Sequence, residues 1–184
     1  MARNIYGLDL GTYEIKVYDK KQDSTWKEKN VIAIVDGKEI LAVGDEAYAM
    51  FERTPGNIEV VFPMKEGVIS RFTDMQYLLQ NLLKKERRFT RGSEYLIAVP
   101  TDVTEVEKRA FFDLVVHSTA KAKEVSIVER GVAQCIGMGI DVRKTEGMLI
   151  VDFGAATTEL SVVGSGGMVL NKMLKIGGMT FDVA

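Results

Sequence analysis

The chain has 184 residues and a mass of 20.4 kDa, the size of one domain or of two small lobes. Hydrophobic residues make up 46% and charged residues 27%, which excludes a mainly disordered chain. The formal net charge of −2 excludes a global electrostatic grip on nucleic acid, and the single cysteine excludes an internal disulfide and a cysteine-built zinc site.

In chain order, the apolar run from Ile5 to Thr12 followed by the alternation around Ile15 and Val17 predicts a hairpin with Asp9 and Gly11 at its tip. Residues 31–35 and 40–43 read as two further strands joined by Asp36-Gly37. Asp45 is placed to cap a short helix over 46–53, which Thr54-Pro55-Gly56-Asn57 ends. Met75, Leu78, Leu79, Leu82 and Leu83 form one helical stripe, with Thr73 or Asp74 as its cap. Tyr95–Val99 reads as a buried strand. Thr104 and Glu107 have capping-box spacing, and the helix they open is expected to reach Ala120 with Val106, Ala110 and Leu114 inward. Glu124–Val128 predicts a strand, Val132 to Gly139 a small helix, and Met148–Val151 a strand ending in Asp-x-Gly. The order is that of an α/β chain with a partly parallel sheet. No apolar run approaches the ~18 residues of a membrane span, and the first residues lack a secretory h-region, so the expected compartment is the cytoplasm.

One pattern occurs twice. Ile5 to Thr12 leading into Ile15-Lys16-Val17, and Met148 to Thr158 leading into Leu160 to Val163, are each strand, Asp-x-Gly, small or hydroxyl residues, strand. A duplicated hairpin predicts two lobes facing a cleft. Glycine allows close backbone approach, so successive N–H groups can face an anion; Thr12, Thr157 and Thr158 add hydroxyls. A carboxylate there repels bare phosphate and fits if hydrated Mg²⁺ lies between, flanked by Asp9 and Asp152. Asp-x-Gly also marks ordinary turns.

The chain resembles the MreB family of bacterial actin-like, cell-shape-determining proteins over nearly its full length. The resemblance is carried by Gly-Leu-Asp-Leu-Gly-Thr (7–12), Val-Gly-Asp-Glu-Ala (43–47), Arg-Thr-Pro-Gly-Asn-Ile (53–58) and Pro-Met-Lys-Glu-Gly-Val-Ile (63–69). It continues through Thr-Glu-Val-Glu-Lys-Arg-Ala (104–110), Asp-Phe-Gly (152–154), Thr-Thr-Glu (157–159) and Ile-Gly-Gly (176–178). It implies an actin-like (ribonuclease-H-like) fold. Residues 1–140 would be the first lobe, with a small inserted subdomain at about 30–70, and 146–184 the incomplete start of the second. It also implies ATP with Mg²⁺ in the interlobe cleft, held at Asp9, Gly11, Thr12, Asp152, Gly154, Ala155, Ala156 and Thr157. Filaments, the inner membrane surface and cell-wall elongation proteins are the implied partners. A family member continues for a comparable length with the segment that holds adenosine, so the chain reads as truncated rather than as a natural half. Residues 1–184 are then expected to bind ATP poorly and to self-associate through residues 148–184.

Three positions depart from the family pattern. Tyr13-Glu14 is bulkier and more acidic than the usual residues after the first turn, and Ala155-Ala156 replaces two glycines in the second. Arg130 stands where the family has the glutamate that orients the attacking water, and Gly131 stands at the following proline; Glu129 is the nearest carboxylate. Arginine is no base at neutral pH, so hydrolysis is expected to be weak, and Arg130→Glu to raise it. The rivals are a pseudo-ATPase scaffold and an ATP-dependent kinase or chaperone ATPase of the same superfamily. Lys84 to Arg91 carries five basic residues and one acid, a local charge of +4. Arg87, Arg88, Phe89 and Arg91 are thereby candidates for contact with anionic lipid, against a solvated helix end. His117 reads as a surface or helix-end residue and Cys135 as a small core residue.

Overall fold

A computed structural model of the chain describes residues 4–85 and 92–182. A five-stranded sheet contains β1 (Ile5–Leu10), β2 (Glu14–Asp19), β3 (Ser24–Lys29), β9 (Glu94–Val99) and β10 (Glu124–Glu129) in the order β10-β9-β1-β2-β3. β9 lies parallel to both β1 and β10, while β1, β2 and β3 are antiparallel neighbours. A small sheet, β5-β4-β6, comes from β4 (Ile32–Val35), β5 (Glu39–Val43) and β6 (Ile58–Val61), and β7 (Met64–Lys65) pairs with β8 (Val68–Ile69). A third sheet, β11-β12-β13, is antiparallel throughout and comprises Met148–Phe153, Thr158–Gly164 and Gly167–Leu174.

The main core lies under one face of the five-stranded sheet. Tyr6, Leu8, Leu10, Ile15, Val17, Ile97 and Val99 alternate inward from their strands. They meet Met75, Leu78, Leu79 and Leu82 of α2 (Phe72–Lys85) and Phe111, Leu114 and Val115 of α3 (Glu105–Val116). The stripe read from the sequence for α2 is therefore its buried face. That for α3 is displaced: Val106 is 79% exposed, and Phe111, Leu114 and Val115 do the packing. α4 (Arg130–Gly137) packs on β9 and β10 and also on β12 and β13, so it bridges the first and third sheets.

Boundaries shift where local chemistry was misread. α1 is only Asp45–Tyr48, and its N-cap is Gly44 at φ 66° with no side-chain cap, so Asp45 is helical rather than capping. α2 begins at Phe72, which puts Thr73 and Asp74 inside its first turn, where Asp74 takes Arg71 at 2.5 Å. α3 stops at Val116 with His117 as C-cap rather than reaching Ala120. In the first hairpin Asp9 is a strand residue paired with Lys16, one step before the tip. No helix among the described residues is long and apolar enough to cross a membrane.

The capping box is formed as the spacing predicts. Glu107 N–H donates to Thr104 Oγ1 at 3.3 Å, and Thr104 N–H donates to Glu107 Oε2 at 2.7 Å. The Thr104 hydroxyl, which donates to Glu107 Oε2 at 2.7 Å, and then the Thr104 N–H on the same oxygen hold the Glu107 carboxyl below its ordinary 4.5. Because the folded form lowers this pKa, the contribution is complete above the ordinary value and is lost as pH falls through the folded one. Thr104→Ala should cost about 1 kcal/mol, read as a lower urea midpoint at pH 7, with the difference from wild type shrinking in strong acid.

Candidate functional site

The sequence echo is the same hairpin built twice. In the first, Leu10 pairs with Ile15 and Asp9 with Lys16; in the second, Phe153 pairs with Thr158 and Asp152 with Glu159. Each tip is closed alike: Gly11 N–H donates to Glu14 O at 3.1 Å, and Gly154 N–H to Thr157 O at 2.8 Å. A Cβ on Gly11 would lie 2.7 Å from Glu14 O, and one on Gly154 2.9 Å from Thr157 O, so both turns require glycine for close backbone approach. The N–H groups of Thr12, Tyr13, Ala155 and Ala156 have no acceptor among the described residues. Both tips line one cleft of about 260 Å³, together with Asp9, Lys16, Gly67, Arg130 and Asp152.

All eight residues expected to hold nucleotide line this cleft: Asp9, Gly11, Thr12, Asp152, Gly154, Ala155, Ala156 and Thr157. Glu129 is not among the lining residues, whereas Arg130 is. Arg87, Arg88, Phe89 and Arg91 lie outside the described residues. His117 is an exposed helix end whose Nδ1 is 3.0 Å from Asp113 O. Cys135 is buried, and burial pushes its thiol pKa up.

The departures around the turns are absorbed locally. Tyr13 packs edge-on to Tyr48 and stacks with Phe62, and Lys29 Nζ sits 4.1 Å from the centre of its ring. Glu14 faces Lys27 at 3.5 Å and Lys29 at 3.6 Å, so its charge is met by two cations of the neighbouring strand β3. Ala155 and Ala156 do not adopt positive φ, and their methyl groups carry no backbone strain there.

Several residues position the site without any local sequence signal. Asn30 is fully buried; its Nδ2 donates to Gly11 O at 2.7 Å and its N–H to Tyr13 O at 2.9 Å, fixing the first turn. Gln134 Nε2 donates to Asp152 Oδ2 at 2.7 Å. Gly67, at φ 83° in the β7–β8 turn, donates its N–H to Thr12 Oγ1 at 3.2 Å. Beside it Glu66 pairs with Lys175 at 2.6 Å, which lowers the Glu66 pKa and raises that of Lys175. Gly178 and Met179 N–H groups donate back to Gly154 and Ala155 carbonyls, bracing the second turn.

No group of three or more His, Cys, Asp or Glu able to hold a metal occurs among the described residues. Asp9 and Asp152 therefore do not make a cage for a bare ion. Two carboxylates, one from each hairpin, would suffice for a Mg²⁺ that keeps several waters and is otherwise met by phosphate oxygens.

A family model described as MreB/Mbl protein matches residues 3–184. The chain is 38% identical to the cell shape-determining protein MreB of Escherichia coli K12 and 33% identical to Mbl of Bacillus subtilis 168. These alignments take in 100% and 99% of this chain and 55% of each relative, so the chain spans about half the length of the curated relatives it matches. The crystal structure of MreB5 of Spiroplasma citri bound to AMPPNP superimposes with a TM-score of 0.90 at 30% identity, over 100% of this chain and 55% of that one. The MamK double helical filament shares the fold at 20% identity and a TM-score of 0.77, over 99% of this chain and 57% of that one. The structure is thus about half of an actin-like fold, and the chain belongs to the MreB/Mbl family.

Proposed function

We propose that this chain supplies the phosphate-binding half of a bacterial actin-like protein that binds ATP with Mg²⁺, assembles into filaments and helps determine cell shape. The observation that carries this reading is the doubled hairpin. Two tips of the same geometry, each with two backbone N–H groups that have no acceptor among the described residues, line one cleft with an aspartate beside each. The relatives crystallised with AMPPNP and with ADP support a nucleotide there. In this reading Asp9 and Asp152 hold Mg²⁺ through water, and the metal when bound offsets phosphate charge. Residues 1–140 and 146–184 are read as parts of the two lobes.

The third sheet supports assembly. Leu149, Val151 and Phe153 along β11 are 60%, 41% and 81% exposed, three apolar side chains on one face of an outer strand of the third sheet. We read it as the surface through which residues 148–184 self-associate or meet the rest of the second lobe. Arg87, Arg88, Phe89 and Arg91 are proposed to meet the anionic inner membrane surface, on the +4 charge of their segment. Cell-wall elongation proteins remain the partner class the family suggests.

The test is calorimetric titration of AMPPNP with Mg²⁺ into the full chain, paired with sedimentation. Binding is expected to be weak for residues 1–184 and to fall a further ~10-fold or more in Gly154→Ala, whose Cβ meets Thr157 O. Sedimentation should show self-association. Binding indifferent to Gly154→Ala, in a strictly monomeric chain, would favour the scaffold reading.

A further inference from the structure

Arg130 gives the cleft a cation of its own. It is 12% exposed, and its guanidinium lies between the two hairpins: Nη2 is 3.5 Å from Asp9 Oδ1 and Nη1 is 3.6 Å from Glu159 Oε2. Both distances exceed the ~2.7–2.9 Å of a charge-assisted hydrogen bond. The buried Nε has no hydrogen-bond partner among the described residues, nor has Glu159 Oε2. The guanidinium carries five N–H donors, so it is held by charge while its donors go largely unused.

Neither carboxylate depends on Arg130 alone. Asp9 has Lys16 Nζ at 3.4 Å. Glu159 Oε1 accepts from Asn171 Nδ2 at 2.8 Å and from Thr101 N–H at 3.3 Å. An incoming anion can therefore take the unused guanidinium donors while Asp9 keeps Lys16 and Glu159 Oε1 keeps Asn171 and Thr101. Arg130 stands at the start of α4, where the first and third sheets meet, so its side chain enters the cleft between the two turns rather than from either one.

We propose that Arg130 is a third anion-binding arm of the cleft. It takes the phosphate that penetrates furthest, the terminal group of a nucleoside triphosphate, through bidentate N–H donation. The chain then prefers a triphosphate to a diphosphate and depends less on a divalent cation than a site built from carboxylates alone. This rests on the nucleotide reading above.

The test titrates AMPPNP and ADP into wild type, Arg130→Gln and Arg130→Lys, each with Mg²⁺ and with EDTA, after thermal melts establish that the variants fold. Arg130→Gln should weaken AMPPNP about 10-fold or more and ADP less than about 3-fold. Arg130→Lys should recover part of the loss, and EDTA should cost the Gln variant more than wild type. Equal losses for both nucleotides, no loss, or an equal EDTA effect would overturn the proposal and leave the nucleotide reading intact. Failure of wild type to bind either nucleotide in Mg²⁺ would sink both. If Arg130→Gln does not fold, the Arg130→Lys ratio of AMPPNP to ADP affinity decides: unchanged from wild type, it overturns the proposal.

Discussion

Arg130→Glu should destabilise the chain by about 3 kcal/mol and leave phosphate release slow, although it installs the residue type that the sequence resemblance implies at this place. The sequence alone predicts a gain in turnover from this substitution; the surroundings of Arg130 reverse that expectation. Its guanidinium stands between Asp9 and Glu159, and the Glu159 side chain is only 4% exposed. A glutamate there removes the cation and adds a third negative charge beside two others. Like charges at this range repel, and the buried Glu159 has little water to screen that repulsion. Lys16 still serves Asp9, and Thr101 and Asn171 still serve Glu159, which keeps the cost at the lower end for a broken buried pair. Urea denaturation of wild type, Arg130→Glu and Arg130→Glu/Glu159→Gln measures it. The double variant should recover most of the loss. A single variant as stable as wild type would show that Glu159 needs no cation, and fast phosphate release from it would show that the site accepts the family's glutamate unaided.

The doubled hairpin is legible in the sequence because its requirements are local. A turn that brings a backbone N–H onto the carbonyl three residues on leaves no room for a Cβ, so Gly11 and Gly154 appear at fixed offsets from Asp9 and Asp152. The α2 stripe and the capping box are local in the same sense. β3 was missed because Ser24-Thr25-Trp26-Lys27-Glu28-Lys29 forms a half-exposed edge strand with little apolar alternation. β7 and β8, of two residues each, are too short to show a period. Asn30 and Gln134 escaped for another reason. Their partners, Gly11 and Asp152, are 19 and 18 residues away, and no spacing rule relates an amide to a partner brought beside it by tertiary packing. Val106 was misassigned because a four-residue repeat fits either of two neighbouring helix faces, and only packing on the sheet selects the one with Phe111.

Gly131→Ala should cost about 3 kcal/mol, the upper end for overpacking, and should disturb the cleft as well. The proline that the sequence resemblance implies at this position would make a Cβ look harmless, but here α4 sits too close to β12 for one. A Cβ on Gly131 would lie 2.6 Å from Ser161 Cβ and Oγ and 2.8 Å from Met168 Cε. Met168 can swing its methyl away. Ser161 cannot, since it is 1% exposed, sits in the middle strand of its sheet, and accepts from Asn171 Nδ2 at 2.9 Å. Relief must come from a shift of α4 away from the third sheet, and that carries Arg130 away from Glu159. The same substitution should therefore weaken triphosphate binding as well as lower the melting temperature. Ser161→Gly removes the obstructing atoms on the other side, so Gly131→Ala/Ser161→Gly should regain stability beyond the sum of the two single effects. This coupling, read from a double-mutant cycle in urea, distinguishes a specific clash from a general loss of helix packing. Additive single effects would mean that β12 gives way instead, and that the start of α4 is not held at the spacing on which the Arg130 geometry depends.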